Sequence, residues 1–529
     1  MNQVFLKFQQ LGDSKKLMII LAVALIIRLI AAIYSAGYAM HDDHFLVVET
    51  PSSWAYGFDS GSWLQETQQR EIVEGKRDEL LPQGHSLFYP GLQFCFFSLM
   101  KFLGVENPKT MMLVNRILHA FLGVFVVYLT YVLSSLLSTP SNACSIAWIA
   151  ALGWAWPFLS VRNLVEVVSV PVLLLAVILT LKGMRKDGLK LGLTAGIIMA
   201  LAVSTRYQTV VFFGVLGLIV LFKRLWYMGL SMLLGFVLCF FLVQGLPDWI
   251  LWGAPFAEIK QYFSYNMSDV RYEYAEATGG RSFGLKYIVV LSFLTVPFLG
   301  AFWLFGFFRQ WRKMYILFWP CIAFLLVHMS YVNAQERFIF PIIHVVLILG
   351  FLGWKDFFDQ SKFWQRNINI WRGINKFSLS LNFVLLLLLS TYYGKKARVE
   401  SVYALYQNES VDFVIHENTY DGYTLMLPWF YSKKWDMTSI PVTHPEQYAS
   451  ILNAHKGFKS WIYFQGDDSL EQRIATAREH FPEMRLVKRF EASFLDNVIK
   501  VLNPVNRNEA ITVYEVEIAH QKDNLNSNP

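Results

Sequence analysis

The residues best suited to chemistry gather just past the first apolar run of the chain. Leu17 to Tyr34 is greasy, and the sequence then reads Tyr38-Ala39-Met40-His41-Asp42-Asp43-His44-Phe45. Carboxylates beside a bilayer are costly to keep there unless they act. Two adjacent ones can divide the work of general-base catalysis, one taking the proton of an attacking sugar hydroxyl and one orienting the acceptor. The plainer reading is a solvated loop after a span. His41 and His44 flank the pair and add donors that a metal could use. Four consecutive side chains, however, point in different directions in either helix or strand. The expectation is a metal-free site with Asp42 and Asp43 as its catalytic carboxylates.

Three arginines stand at polar turns further on. They are Arg162 in Arg162-Asn163-Leu164-Val165-Glu166, Arg206 in Ser204-Thr205-Arg206-Tyr207-Gln208, and Arg337 in Asn333-Ala334-Gln335-Glu336-Arg337. A guanidinium grips phosphate oxygens with a two-pronged fork. Such cations can stabilise a departing phosphate where no metal does so. Snorkelling, or an ion pair with Glu166 or Glu336, is the competing reading. Glu49, Trp54, Trp63 and Glu66, with Tyr56 and Gly57, combine aromatic faces with carboxylates as sugar sites do. The same composition fits a helix lying in the membrane interface. The polar segment from Tyr262-Phe263-Ser264-Tyr265-Asn266 to Gly279-Gly280-Arg281 could cover a site, as mobile loops do.

What must position these groups is a series of apolar segments. Of 529 residues, 55% are hydrophobic and only 16% charged, which is too apolar for a soluble protein of this length. At about 20 residues per spanning helix, the runs near 17–36, 113–137, 145–160, 167–182, 191–203, 209–222, 226–245, 286–308, 314–332, 338–354 and 378–394 predict about eleven transmembrane helices. No clean small-residue cleavage site follows Tyr34, so the first run reads as a retained anchor. Leu87 to Leu103, with Pro90 and Gly91, reads as a further span or an interfacial helix. Lys15 and Lys16, the basic loops at Arg185–Lys190, Lys223–Arg224 and Arg309–Lys313, and the one from Lys355 to Lys376 all fall on one side in a single topology, the cytoplasmic side by the positive-inside rule. The acidic pair, the large first outer loop 37–109 and the three arginine turns then share the opposite side. Cations kept there against the bias point to a bound anion.

The four cysteines show neither metal nor disulfide spacing. The net charge of +7 is spread over short loops, which argues against nucleic acid as a partner. Residues 1–394 read as the membrane domain and 395–529 as a small soluble α/β domain on the non-cytoplasmic side. In that tail, Lys459–Gln465, Arg485–Phe490 and Val513–Val516 read as strands. Ser469–His480 reads as a helix capped by Ser469, three residues before Gln472.

At these residues the chain resembles the GT-C glycosyltransferases, and most of all the α-mannosyltransferases of glycosyltransferase family 22, which act on GPI-anchor and dolichol-linked oligosaccharide precursors. That family carries His-Pro-Asp-Glu-His-Phe-Gln in its first lumenal loop; here Met40-His41-Asp42-Asp43-His44-Phe45-Leu46 answers, its aspartate falling on Asp42 and its glutamate on Asp43. Glu49, Trp54, Tyr56 and Gly57 follow in the family's order. The family's Arg-Thr-Leu-Ser-Asn turn resembles the Arg162 turn, and its Arg-Pro-Thr turn keeps only Arg206. Its His-Lys-Glu-x-Arg-Phe-x-x-Pro motif survives as Arg337-Phe338 and Pro341. The resemblance implies a polyprenyl- or dolichyl-phosphate sugar donor, a glycan or glycolipid acceptor and no cofactor. It implies an inverting single displacement with Asp42 as base and Asp43 beside it. Arg337, Arg206 and Arg162 would bind the donor phosphate, and His44, Glu49, Trp54 and Glu336 the acceptor or sugar. The membrane would be a bacterial inner membrane with a periplasmic site, or the ER membrane with a lumenal one. A transporter or flippase of lipid-linked sugars is the alternative.

Overall fold

The computed structural model describes residues 10–186, 188–268, 284–331, 335–408, 410–419, 426–503 and 507–518, with the side chains of His41, Asp42 and Lys186 outside the description. Parts of two expected features, the 262–281 segment and the turn before Gln335, lie outside the described residues. The chain is a polytopic α-helical membrane protein with a small C-terminal sheet. It divides into two compact units: Met1–Ser35, Ser62–Cys95 and Leu113–Thr391 form the first, and Ala36–Gly61, Phe96–Met112 and Tyr392–Pro529 the second.

In the first unit, six of the eleven expected spans are helices long and apolar enough to cross a membrane: Asp13–Tyr34, Pro108–Leu137, Val165–Arg185, Trp226–Trp252, Glu336–Gln360 and Ile368–Ser390. Three more are shorter apolar helices, Leu189–Thr205, Thr209–Phe222 and Tyr315–Met329. Two depart from a straight span. The 286–308 run is two helices, Lys286–Leu294 and Leu299–Arg309, bent by 113°. Pro297 lacks an N–H for the ladder, and Phe298 takes a positive φ of 64° at the break. The 145–160 run splits into Pro140–Leu152 and the short helix Trp156–Ser160, because Gly153 leaves the helical region and Pro157 restarts the chain. Thirteen residues rise only about 20 Å, short of the hydrocarbon thickness. Leu87–Leu103 forms one helix, Phe88–Phe102.

Small residues let these helices approach closely. A Cβ at Gly196 would collide with the Met232 carbonyl of the neighbouring helix, and one at Gly306 with the Gly350 carbonyl. With no hydrophobic drive between helices in lipid, such close packing supplies much of the attraction.

In the second unit, five strands form one sheet in the order β2-β1-β3-β5-β4: β1 Phe413–Glu417, β2 Thr438–Val442, β3 Lys459–Gln465, β4 Arg485–Phe490 and β5 Ile511–Glu517. β1 runs parallel to β2 and β3, and β5 antiparallel to β3 and β4. Phe413, Ile415, Ile462, Phe464 and Val516 bury one face against the helices Gln447–Ala454 and Leu470–His480, through Tyr448, Ile451, Ile474 and Ala477. The edges carry Pro441 on β2 and Arg485, Lys488 and Arg489 on β4, which discourage further strand pairing. The expected cap at Ser469 is not formed. Its φ of 51° is left-handed and its side chain makes no capping bond; Arg473 holds that end instead, pairing with Glu417 at 2.7 Å.

Candidate active site

The acidic pair begins a continuous helical stretch. His41–His44 is α-helical, Phe45–Glu49 widens into a π-turn, and Thr50–Ala55 returns to α. Pro51 cannot donate to the ladder and would clash with the carbonyl four residues back, so the turn before it opens. The Thr50 hydroxyl donates to the Phe45 carbonyl at 3.0 Å and supports the wide turn. Such bulges re-aim side chains and recur at functional sites. Asp43 is buried, so the solvated-loop reading fails for this carboxylate.

Within the second unit this stretch is fixed by aromatic stacking. The His44 ring lies 4.3 Å from Tyr38 and 5.9 Å from Tyr431, parallel to both, and its Nε2 is 3.4 Å from a Glu49 carboxylate oxygen. Glu49 is itself buried. Burial pushes its carboxyl up to about 8, against the opposing pull of the Phe430 and Trp429 N–H groups. Trp54 donates to Asp59 at 2.9 Å, and Ser53 gathers the chain that follows by accepting from Ser60. His44 and Glu49 therefore meet in one cluster, and Trp54 closes the helix that bears them.

The arginines lie in the first unit. Glu166, fully buried at the start of the helix Val165–Lys186, faces Arg206 Nη2 at 3.0 Å and Arg337 Nε at 3.6 Å. Arg337 Nε also donates to Gln335 at 2.7 Å, and both guanidiniums flank the Phe338 ring, at 5.1 and 5.9 Å. One buried carboxylate thus lies between two guanidiniums. Arg162 is engaged elsewhere: it donates to the carbonyl and hydroxyl of Ser35 and stacks over Phe158. Glu336 is exposed and pairs with Lys286 at 3.2 Å.

Sequence reasoning saw Glu166 only as a counter-charge and missed two buried polar groups. The first is a buried network. His119 and Tyr89 share a 2.6 Å hydrogen bond, Asn163 donates to Tyr89 and to Asn115, and Asn115 donates to Gln93. It pins Asn163, the residue that follows Arg162. The second is a pair of buried acids beyond the Arg206 turn. Glu258 accepts from the Gly84 and His85 N–H groups at 2.7 and 3.2 Å and from Trp252, while Asp248 accepts from Gln244 and from the Glu258 N–H. The only sequence signal for either was polar residues at the ends of apolar runs.

Glu258 carries a pH dependence. Burial raises its carboxyl from 4.5 to about 7, the Gly84 N–H opposes this, and Asp248 adds to it. A raised folded value means that the folded state holds the proton more tightly. The stabilisation is complete below about 4.5 and is lost as pH rises through about 7. Thermal unfolding of the wild type in detergent should fall from pH 5 to pH 8, by at most about 3 kcal/mol. Glu258→Gln should flatten that slope. An unchanged slope in the variant would assign the dependence to other groups.

No family model matches the sequence, and no curated protein does. Solved structures match it in fold. ArnT from Cupriavidus metallidurans bound to undecaprenyl phosphate aligns with a TM-score of 0.59 at 12% identity, over 97% of this chain and 100% of that one. The apo form of the same protein aligns at 0.57 and 11%, over 96% and 99%. The oligosaccharyltransferase AglB from Archaeoglobus fulgidus, in complex with an inhibitory peptide and a dolichol-phosphate, aligns at 0.51 and 12%, over 87% of this chain and 71% of that one. These neighbours are GT-C fold glycosyltransferases, and the chain has the GT-C fold.

Proposed function

We propose that the protein is a membrane glycosyltransferase that moves a hexose, mannose by the family 22 resemblance, from a polyprenyl- or dolichyl-phosphate donor to a glycan or glycolipid acceptor. The observation that carries this reading is the pair Arg206 and Arg337, drawn from two separate turns onto the buried carboxylate of Glu166. Solved proteins of the same fold bind undecaprenyl phosphate and dolichol-phosphate, and paired guanidiniums suit a phosphate monoester. In the proposed reaction, Asp42 takes the proton of the acceptor hydroxyl and Asp43 orients the acceptor. The hydroxyl oxygen bonds to the anomeric carbon from the face opposite the phosphate. The bond from that carbon to the phosphate oxygen breaks, and the lipid phosphate leaves with both electrons. Arg206 and Arg337 offset its charge. His44 and Glu49, locked together by stacking and burial, and Trp54 set the acceptor side. Arg162 and Glu336 support the turns that carry the clamp.

Full-length protein in detergent, given polyprenyl-phosphate mannose and a panel of glycan and glycolipid acceptors, should release lipid phosphate and yield an acceptor heavier by one hexose in the mass spectrum. Donor left intact but moved across the bilayer of a proteoliposome would establish the flippase instead. Release should persist in EDTA, because guanidinium cations stay charged at any ordinary pH and need no metal to meet the leaving phosphate. Complete loss in EDTA, restored by manganese or magnesium, would put a metal at the acidic pair and reduce the arginines to helpers.

A further inference from the structure

Inside the helical bundle of the first unit, beside residues that flank the Arg162 turn, lies a second cationic centre. Arg28 sits in the middle of the helix Asp13–Tyr34 and is 1% exposed. Its two terminal nitrogens donate to backbone carbonyls: Nη1 to Ala24 at 3.3 Å and Ala151 at 3.1 Å, Nη2 to Ala150 at 3.1 Å. Ala150 and Ala151 belong to the last turn of the helix Pro140–Leu152, whose carbonyls have no partners within that helix. The negative end of that helix offsets about half a charge. Among the described residues no carboxylate pairs with Arg28, and no group accepts from its Nε.

That Nε borders a cavity of about 20 Å³, lined also by His119, Gly123, Trp156, Ser160 and His344. Two more of these lining residues carry buried ring nitrogens. Trp156 Nε1 and His344 Nδ1 have no hydrogen-bond partner among the described residues, and the two rings pack at 4.6 Å. The residues are 3% and 2% exposed. His119, by contrast, has both ring nitrogens engaged, with Tyr89 and with the Asn115 carbonyl. Gly123 keeps the space open, since a Cβ there would stand 2.8 Å from both Arg28 Nε and Ser160 Oγ.

A cation without a carboxylate partner among the described residues, two further ring nitrogens and a void of this size form one pattern. The geometry points to a binding site for a single small monovalent anion of halide size, held by Arg28 Nε, Trp156 Nε1 and His344 Nδ1. A void of this volume admits one water-sized or slightly larger body. It is too small for a phosphate or a carboxylic acid. The indole donates and never accepts, and the guanidinium does the same. An anion satisfies both and completes the charge balance of the bundle, whereas a neutral ligand leaves the cation uncompensated. Since the anion binds only the folded bundle, it stabilises the protein in proportion to its occupancy.

The test uses full-length protein. Crystals grown in bromide should show an anomalous peak beside Arg28 Nε, and the melting temperature in detergent should rise with chloride against gluconate at constant ionic strength. Trp156→Phe removes one donor and also the pyrrole part of the buried indole, which enlarges the space there. It should raise the chloride concentration for half-maximal stabilisation about tenfold, as expected for one hydrogen bond to a charged group. Gly123→Ala puts a methyl group 2.7 Å from Ser160 Cβ and 2.8 Å from Arg28 Nε, so it displaces these groups while keeping the arginine itself. It should abolish both the anomalous peak and the chloride response. A wild-type cavity that holds only water, with no bromide peak and no chloride dependence, overturns the proposal. So does a chloride response that survives unchanged in Gly123→Ala.

Discussion

Asp42→Asn is expected to reduce sugar transfer by on the order of a hundredfold or more, with donor affinity close to that of the wild type. The amide keeps the volume and hydrogen-bonding reach of the carboxylate but cannot take a proton. The loss should therefore fall on kcat. Asp43→Asn is expected to cost less, because a side chain that orients the acceptor can do so as an amide. His41→Ala should be milder than either, since its part would matter only if a metal were held at the pair. The helix that carries the pair is fixed at its far end by the π-turn before Pro51 and by the His44–Glu49 contact. An asparagine at position 42 or 43 leaves those supports in place, so a loss of activity there reads on chemistry. Single-turnover transfer measured with both variants checks the assignment; Asp42→Asn within about threefold of wild type removes Asp42 from the role of base.

The parts of this architecture that were legible in the sequence are those set by local composition. The strand Lys459–Gln465 matches its expected bounds because Trp461-Ile462-Tyr463-Phe464 is an aromatic and β-branched run, the composition a buried strand favours. The spans that came out as single long helices follow long apolar runs, and Pro171 within one of them does not divide it. Where a break is present, averaging over a window hides it. Pro297 folds one expected span back on itself, and Gly153 with Pro157 divides another. β1 and β2 escaped notice; Pro441 within β2 argues against a strand there. Long-range association is harder still. Nothing in residues 36–61 or 96–112 signals that they pack as one compact unit with residues 392–529. In the candidate site, the charged residues could be named from their positions at the ends of apolar runs. Their partners could not. All three arginines stand at polar turns in the sequence; the fold brings Arg206 and Arg337 to Glu166, while Arg162 donates to Ser35.

That division among the arginines sets the second large effect. Arg337→Lys should raise the donor KM by roughly tenfold or more, because an ammonium is a point charge and cannot reproduce a planar fork on two phosphate oxygens. Arg206→Lys should do the same, for both guanidiniums face the one carboxylate of Glu166. Arg162→Lys should act differently: its guanidinium is spent on the Ser35 carbonyl and hydroxyl, so the cost should appear as lowered thermal stability with donor KM little changed. Glu166 supplies the control for a merely structural role. Removing one partner from a buried ion pair costs on the order of 3–5 kcal/mol. Glu166→Gln should therefore lower the melting temperature more than either lysine substitution does. If the arginines served only to neutralise Glu166, the three variants would lose stability together, and the donor KM of any folded fraction would stay at the wild-type value. The phosphate clamp predicts the opposite pattern, in which Arg337→Lys and Arg206→Lys melt near the wild type yet need far more donor. Donor titrations at fixed acceptor, alongside melting curves of the same preparations, separate the two; an unchanged donor KM in Arg337→Ala would place the clamp elsewhere.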